Sequence, residues 1–421
     1  MIQKIQRGMI LSFLFFISAG NLFSQISPDT NYAVRVMSWN ILNFPNSTPT
    51  ADSALRCPEY RKVMQHVNPD VVVTMENTSA MGAGWFLTNV MNSGAYQFAQ
   101  GTYINGYDSD NAIYYRDSLF EFISNVPIIT ALRDISHYTL KFKATDDTLH
   151  IFAVHLKASP GFETNRRDEV LLLRAVTNAF PPGTNFIVAG DFNFYNSYEP
   201  GYTALKQDNP GDDGNFIDPI NISGTWNYWA YAQYHTQSTR LTSVGGGSTG
   251  GMNDRFDMIL YSNGIAVPDG VYYEPGTYNN IGNDGNHFDK SINFGTNSAV
   301  PLAVANALYN CSDHLPIEMV LKFGRTIGID ELNTTVNSFS VFPNPITQNS
   351  IIRFDLSKRE MLSAVIYDLA GKLIYESTSR FYDIGENTIE IGNLEDVSAG
   401  IYLLTLSGDK VLINRRLNIL K

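Results

Sequence analysis

The chain has 421 residues, 44% hydrophobic and 17% charged, which is enough apolar sequence for packed cores and too much for a disordered protein. Acidic side chains outnumber basic ones 41 to 29, and the net charge of −12 argues against a basic protein that coats nucleic acid through clustered Lys and Arg. The only cysteines, Cys57 and Cys311, exclude a disulfide-stapled mini-scaffold and a Cys-based zinc finger, while the length predicts two or three domains.

Residues 1–24 read as a signal peptide. Lys4 and Arg7 give a positive start, and Met9–Ile17 is an apolar run too short to span a bilayer. Small residues follow at Ser18, Ala19, Gly20 and Ser24, so cleavage is expected near Gly20 or Ser24. The mature protein is expected to be an exported monomer without a membrane span.

Strand-like and helix-like stretches then alternate over residues 32–323. Strands are predicted at Val34–Trp39, Val71–Met75, Ala112–Tyr115, Leu140–Phe142, His150–Val154, Phe186–Ala189, Phe256–Tyr261 and Ile317–Leu321, and helices at Cys57–His66 and Asp168–Asn178. The pattern predicts an α+β domain, a two-layer β-sandwich core flanked by helices. Four of the apolar strands run into a polar residue: Asn40, Glu76, His155 and Asp191. One such residue is a turn former. Four after buried runs point to a shared crevice where strand ends converge.

These residue types suit hydrolysis at phosphorus. A carboxylate such as Glu76 suits Mg²⁺ or Mn²⁺, with Ca²⁺ as an alternative. A bound cation neutralises phosphoryl charge, and a histidine serves as acid, base or phosphate donor. Asp191 is a candidate to orient the attacking water, and Asn193 donates a hydrogen bond without adding charge. Arg166 and Arg167 open a helix, and a phosphate contact by Arg166 stands beside the reading of solvated helix charges. His235 is a candidate beside the substrate, with a surface-loop histidine as the other reading. His287 reads as a turn residue, and Gly245–Gly251 as a mobile loop leading into Asp254–Asp257.

The motifs Ser38-Trp39-Asn40, Thr74-Met75-Glu76-Asn77, Val154-His155-Leu156-Lys157, Gly190-Asp191-Phe192-Asn193, Asp254-Arg255-Phe256-Asp257 and Ser312-Asp313-His314-Leu315-Pro316 occur in one order from residue 34 to 322. In this they resemble the endonuclease/exonuclease/phosphatase superfamily, with its DNase I-like fold. The resemblance implies that Asn40, Glu76 and Asp313 lie at the metal. It implies that His155 contacts the scissile phosphate, Asp191 positions or deprotonates the water, and Asn193 steadies the transition state. Asp257 would orient His314, the paired acid–base or phosphate-binding histidine. Which histidine is acid and which base stays open at this level.

After residue 323 a polar linker, 324–338, leads to a strand-rich segment, 339–421, that reads as a small all-β sandwich. Strands are predicted at Ile351–Leu356, Ala364–Tyr367, Asn387–Ile391, Ile401–Ser407 and Val411–Leu417, with Gly371 supplying a turn. Phe342-Pro343-Asn344-Pro345, Ile366-Tyr367-Asp368 with Gly371-Lys372, Leu394 with Gly400-Ile401-Tyr402, and the closing Leu412–Leu417 strand resemble the C-terminal sorting domain of the type IX secretion system of Bacteroidetes. Arg415-Arg416 replaces the usual lysine before the closing strand. This resemblance implies export through the periplasm and outer membrane to the cell surface or medium, with that secretion machinery as partner.

Three substrate readings follow for residues 32–323, which hold 17 Lys and Arg against 28 Asp and Glu, a balance of −11. The first is a secreted nuclease acting on nucleic-acid phosphodiesters. The second is a lipid phosphodiesterase of the sphingomyelinase type or a phosphatase of small phosphoesters, with Trp226-Asn227-Tyr228-Trp229 as a cluster that touches lipid, stacks on bases or packs in the core. The third, a non-catalytic surface adhesin, conflicts with the full set of acids, amides and histidines. An oxidising destination permits a Cys57–Cys311 disulfide at the active-site rim, against the alternative of two buried thiols.

Overall fold

The computed structural model describes residues 32–45, 54–209, 213–266, 270–324 and, with short breaks, 335–419. The expected signal peptide, most of the expected linker, Asn344-Pro345 and the Leu369-Ala370 pair lie outside the described residues.

In chain order the first part contains β1 (Tyr32–Phe44), α1 (Cys57–Val67), β2 (Val71–Asn77), α2 (Ala80–Asn89), β3 (Phe98–Gln100), β4 (Asp110–Arg116), β5 (Phe120–Asn125), β6 (Ser136–Phe142) and β7 (Thr148–His155). There follow α3 (Glu163–Thr177), β8 (Phe186–Asp191), α4 (Pro200–Lys206), β9 (Phe216–Ile217), β10 (Asp257–Ser262), β11 (Val271–Tyr273), β12 (Asn279–Asn280), α5 (Leu302–Cys311) and β13 (Ile317–Phe323). One sheet has the order β11-β13-β1-β2-β4-β3, with β12 also on β13, and the other β5-β6-β7-β8-β10-β9. The fold is therefore α+β, two sheets face to face with helices outside them.

Strand alternation explains the layering. On β1, Val34 and Val36 face the inter-sheet core, and Met37, Trp39 and Ile41 face the layer under α1, α2 and α5. On β7, Ile151 and Ala153 point inward and Phe152 and Val154 outward toward α3 and α4. Ile187 and Ala189 of β8 and Ile259 of β10 join the inward set. Period two then carries the inward rows on to Asn40, His155, Asp191 and Asp257. Each continues a buried apolar row past the end of the core.

Three expectations are corrected here. Asn40 does not end its strand: β1 continues to Phe44, through left-handed Leu42 and Asn43 and a register shift against β2. The helix expected at Asp168–Asn178 begins at Glu163, because Arg166 turns inward to a buried partner and extends the helical face. Cys57 and Cys311 do not sit on a rim. Both are buried in the apolar layer where α1 meets α5, no disulfide joins them, and burial pushes the Cys311 thiol up to about 12.

The C-terminal segment contains β14 (Val336–Phe342), β15 (Ile351–Leu356), β16 (Glu360–Asp368), β17 (Leu373–Glu376), β18 (Arg380–Tyr382), β19 (Gly385–Glu390), β20 (Gly400–Ser407) and β21 (Leu412–Ile419). They form a β14-β15-β19 sheet and a β17-β16-β20-β21 sheet with β18 on β16, around a core that includes Ile352, Phe354, Ile366, Leu404 and Ile413. Gly371, at φ 83°, closes the expected turn, and Asp368 Oδ1 accepts the Lys372 amide at 2.8 Å. Among the described residues no helix is long and apolar enough to cross a membrane.

Candidate active site

The inward polar residues meet in an open cleft of about 260 Å³ at one end of the two sheets. β7 and β8 are parallel and in register, which sets His155 beside Asp191, and antiparallel pairing sets Asp257 opposite Asp191. Gly190 makes this approach possible. Its φ is 150°, and a Cβ there would lie 2.0 Å from the Val154 carbonyl oxygen.

Glu76 reaches the cleft by a different route. Alternation alone would turn it to the opposite face from Met75. The register against β1 and β4 slips around it, and its φ of 64° swings the side chain back. Its carboxylate accepts Asn40 Nδ2 at 2.9 Å and the Asn43 amide at 2.8 Å. Asn40 Nδ2 also lies 3.2 Å from Asp191 Oδ2, so one amide bridges the two acids.

The third strut is the loop before β13. Trp39 Nε1 donates to the His314 carbonyl at 2.9 Å and Ser312 Oγ to the Asn40 carbonyl at 2.6 Å, fixing Asp313 and His314 on β1. His314 Nδ1 is 2.7 Å from Asp257 Oδ2, and Nε2 is 3.6 Å from Asp191 Oδ2. His155 Nε2 lies 3.5 Å from the same Asp191 oxygen and 3.9 Å from Glu76 Oε1. Asn193, left-handed at φ 52°, gives its amide to Asp191 Oδ1 at 3.1 Å and its side chain to the Leu156 carbonyl at 3.2 Å.

Electrostatics separates the two histidines. Burial opposes charge on both. At His314 the carboxylates of Asp257, Asp191 and Asp313 overcome it and hold the ring well above the usual histidine range. At His155 burial prevails, with Arg133 and His314 adding to it, and the ring is held well below that range. The site thus favours the charged form of one histidine and the neutral form of the other. Burial raises Asp191 to about 7, against the pull of His314. Burial and the neighbouring Asp313 raise Glu76 as well.

The donor set suits a divalent cation. Asp313 lies close enough to Glu76 to disfavour the charge of Glu76, and Asp313 Oδ1 is buried without a hydrogen-bond partner. Among the described residues no three acids, histidines or cysteines close into a ready-made cage. A hard cation that uses one or two carboxylates and keeps several waters does not need one.

Two sequence candidates lie elsewhere. Arg166 does not face the cleft: it is fully buried, paired with Glu199 at 2.8 Å, and donates to the carbonyls of Lys157 and Ser159 at 2.9 Å each. It braces the loop whose Ala158 and Ser159 line the cleft. His235 is neither a surface-loop residue nor a cleft residue. It is fully buried, with Nε2 2.7 Å from the Trp226 carbonyl. His287 is likewise buried, 2.8 Å from Asp284.

Sequence reasoning missed Gln237, Tyr195 and the glycine-rich segment. The Gln237 amide lies 2.5 Å from His314 Nε2 and donates to Asp313 Oδ2 at 3.3 Å. The glycine run, expected as a loop on the way to Asp254, packs on the site: Ser248 N donates to Asp313 Oδ2 at 2.6 Å. Gly247, at φ 80°, passes so close that a Cβ would meet Asp313 Cγ at 2.8 Å. The run of glycines beside a Ser was the available signal, since close backbone approach requires such residues.

Comparison with known families decides the class. The model of the endonuclease/exonuclease/phosphatase family matches residues 37–314. The chain belongs to this family. Its fold is that of DNase I-like phosphoesterases, and the family's enzymes use divalent metals. A secretion-system C-terminal sorting domain matches residues 340–419, so this family member is exported by the type IX system to the surface or the medium. No curated protein matches the chain. Similar solved structures include D. rerio TDP2 complexed with single-strand DNA product, at 17% identity over 69% of this chain and 98% of that one, TM-score 0.45. An endonuclease/exonuclease/phosphatase family protein from Bacteroides thetaiotaomicron has 16% identity over 70% and 99%, TM-score 0.45. The human Nocturnin catalytic domain with bound sulfate has 18% identity over 69% and 93%, TM-score 0.44.

Proposed function

We propose that the protein is a secreted, metal-dependent phosphodiester hydrolase acting on nucleic acid, with residues 32–323 as the enzyme and 339–421 as the sorting domain behind a 324–338 linker and a 1–24 signal peptide. The observation that carries the chemistry is one Asp191 carboxylate within 3.5 and 3.6 Å of a neutral and a charged histidine. Glu76 and Asp313 would hold Mg²⁺ or Mn²⁺, with Asn40 fixing Glu76 at the metal through its amide, and the role of the cation when bound is to neutralise charge on the phosphoryl oxygens. Asp191, tuned to about 7, takes the proton of the attacking water. The His314 imidazolium, fixed by Asp257, donates to a phosphoryl oxygen as negative charge builds, and the P–O bond opposite the incoming water breaks, its oxygen taking a proton from solvent. His155, neutral, and Asn193 orient the phosphate, and the Asn40 amide ties Glu76 to Asp191. Export favours a polymer substrate available outside the cell.

Incubating the purified protein with plasmid DNA, RNA, sphingomyelin and small phosphodiesters, with and without Mg²⁺, tests the reading. Metal-dependent cleavage of nucleic acid is expected. Turnover of sphingomyelin alone would transfer the same site to a lipid phosphodiesterase.

A further inference from the structure

A segment hydrogen-bonded to the lining of the cleft carries an aromatic surface that packing does not explain. Of the four tryptophans, Trp39 and Trp226 are fully buried and Trp85 is partly so. Trp229 is 63% exposed and its neighbour Tyr228 55%, with ring centroids 5.9 Å apart and planes at 48°. Leaving two large rings in water forgoes the burial that such side chains ordinarily obtain, and adjoining exposed apolar groups mark ligand contact.

The backbone beneath them is held firmly. Trp226 anchors it in the core, edge-on to Tyr202 at 5.2 Å and under the Arg255 guanidinium at 4.9 Å. Tyr231 N donates to the Tyr228 carbonyl at 2.9 Å, and Tyr231 Oη to the Ser223 carbonyl at 2.7 Å. Two links join the segment to the cleft. Trp226 N donates to the carbonyl of cleft-lining Tyr195 at 3.1 Å. Asn227 Nδ2 donates to Asp254 Oδ1 at 3.1 Å, and the Asp254 carbonyl accepts the amide of cleft-lining Gln237 at 3.1 Å.

The chemistry of this rim selects its ligand. Neutral aromatic faces stack on flat heterocycles of any sequence. Residues 32–323 carry a balance of −11, and Asp254 is hydrogen-bonded to Asn227, the residue before Tyr228, so a close-packed array of phosphates is disfavoured. A duplex encloses its bases and presents mainly phosphate, whereas a single strand offers base faces. We propose that Tyr228 and Trp229 form a stacking platform for an unpaired base of the substrate, making the enzyme selective for single-stranded over duplex nucleic acid. This rests on the nuclease reading above.

The test compares full-length wild type with the Tyr228→Ala/Trp229→Ala double variant in Mg²⁺. Substrates are a fluorescent single-stranded oligonucleotide, a blunt hairpin duplex, and methyl p-nitrophenyl phosphate. The expected wild type prefers the single strand. In the double variant KM for that strand rises about 10- to 100-fold with kcat little changed. Unchanged turnover of the small ester shows that the site is intact, and Trp229→Phe, which keeps an aromatic face, retains most of the affinity. If wild type cleaves the single strand and the double variant has the same KM, the platform is overturned and the nuclease reading stands. If wild type cleaves no oligonucleotide but hydrolyses sphingomyelin in vesicles, both fall, and the rings belong to a lipid contact.

Discussion

Asp257→Asn isolates the electrostatic work of a single oxygen. Asp257 Oδ2 sits 2.7 Å from His314 Nδ1, and both side chains are buried. With charge centres roughly 4 Å apart and an effective dielectric constant of about 20, the pair is worth about 4 kcal/mol. That attraction favours the imidazolium form of His314. Burial opposes the imidazolium, so losing the Asp257 charge shifts the ring toward its neutral form. The donor to the developing phosphoryl charge is then lost, and kcat should fall by about 10²- to 10⁴-fold with KM little changed. Acidification cannot restore activity, because Asp191 titrates near 7 and loses its function as base first. The assay is steady-state cleavage of a phosphodiester by wild type, Asp257→Asn, His314→Ala and the double variant. If the two residues act as a unit, the double variant should match His314→Ala within about threefold. Losses that multiply, or an Asp257→Asn enzyme within about threefold of wild type, would refute the reasoning.

Other expectations follow from the same structure. Glu76→Gln should reduce activity by about 10²-fold or more, and EDTA should abolish wild-type activity until Mg²⁺ is restored. The metal-free variant should melt no lower than metal-free wild type, because its buried charge beside Asp313 is gone. Arg166→Met should cost about 3–5 kcal/mol in denaturant titrations, since Glu199 would be left buried without its partner. On the outer face of β6 and β7, His137 Nε2 lies 3.0 Å from His150 Nδ1, and burial lowers both, His137 to about 4. The unfolded chain therefore binds more protons between about pH 6.5 and 4, and stability should fall by about 1–2 kcal/mol as pH drops through that window, allowing for partial exposure. His137→Phe, which preserves the stack on Phe152, should flatten that dependence in pH-resolved melts.

Much of the candidate site's make-up was legible in the sequence because strands have a period of two and end in one place. Apolar rows through Ile151 and Ala153, or Ile187 and Ala189, announce inward faces, and the next residue on each face, His155 or Asp191, must meet the crevice. The sorting segment was equally legible, since its turns depend on local residues such as Asp368 and Gly371. Tertiary structure alone decided the rest. Glu76 enters the site only through a left-handed backbone, which alternation forbids and packing imposes. Arg166 faces Glu199 because residues 33 apart in the chain meet across α3 and α4, and no local pattern encodes that pairing. The two histidines, alike in sequence, are driven to different protonation states by neighbours distant in the chain: Asp257 beside His314 favours its charged form, and burial near Arg133 favours the neutral form of His155. Local geometry is written in short-range periodicity, whereas burial and charge depend on the summed field of residues that only the folded chain brings together.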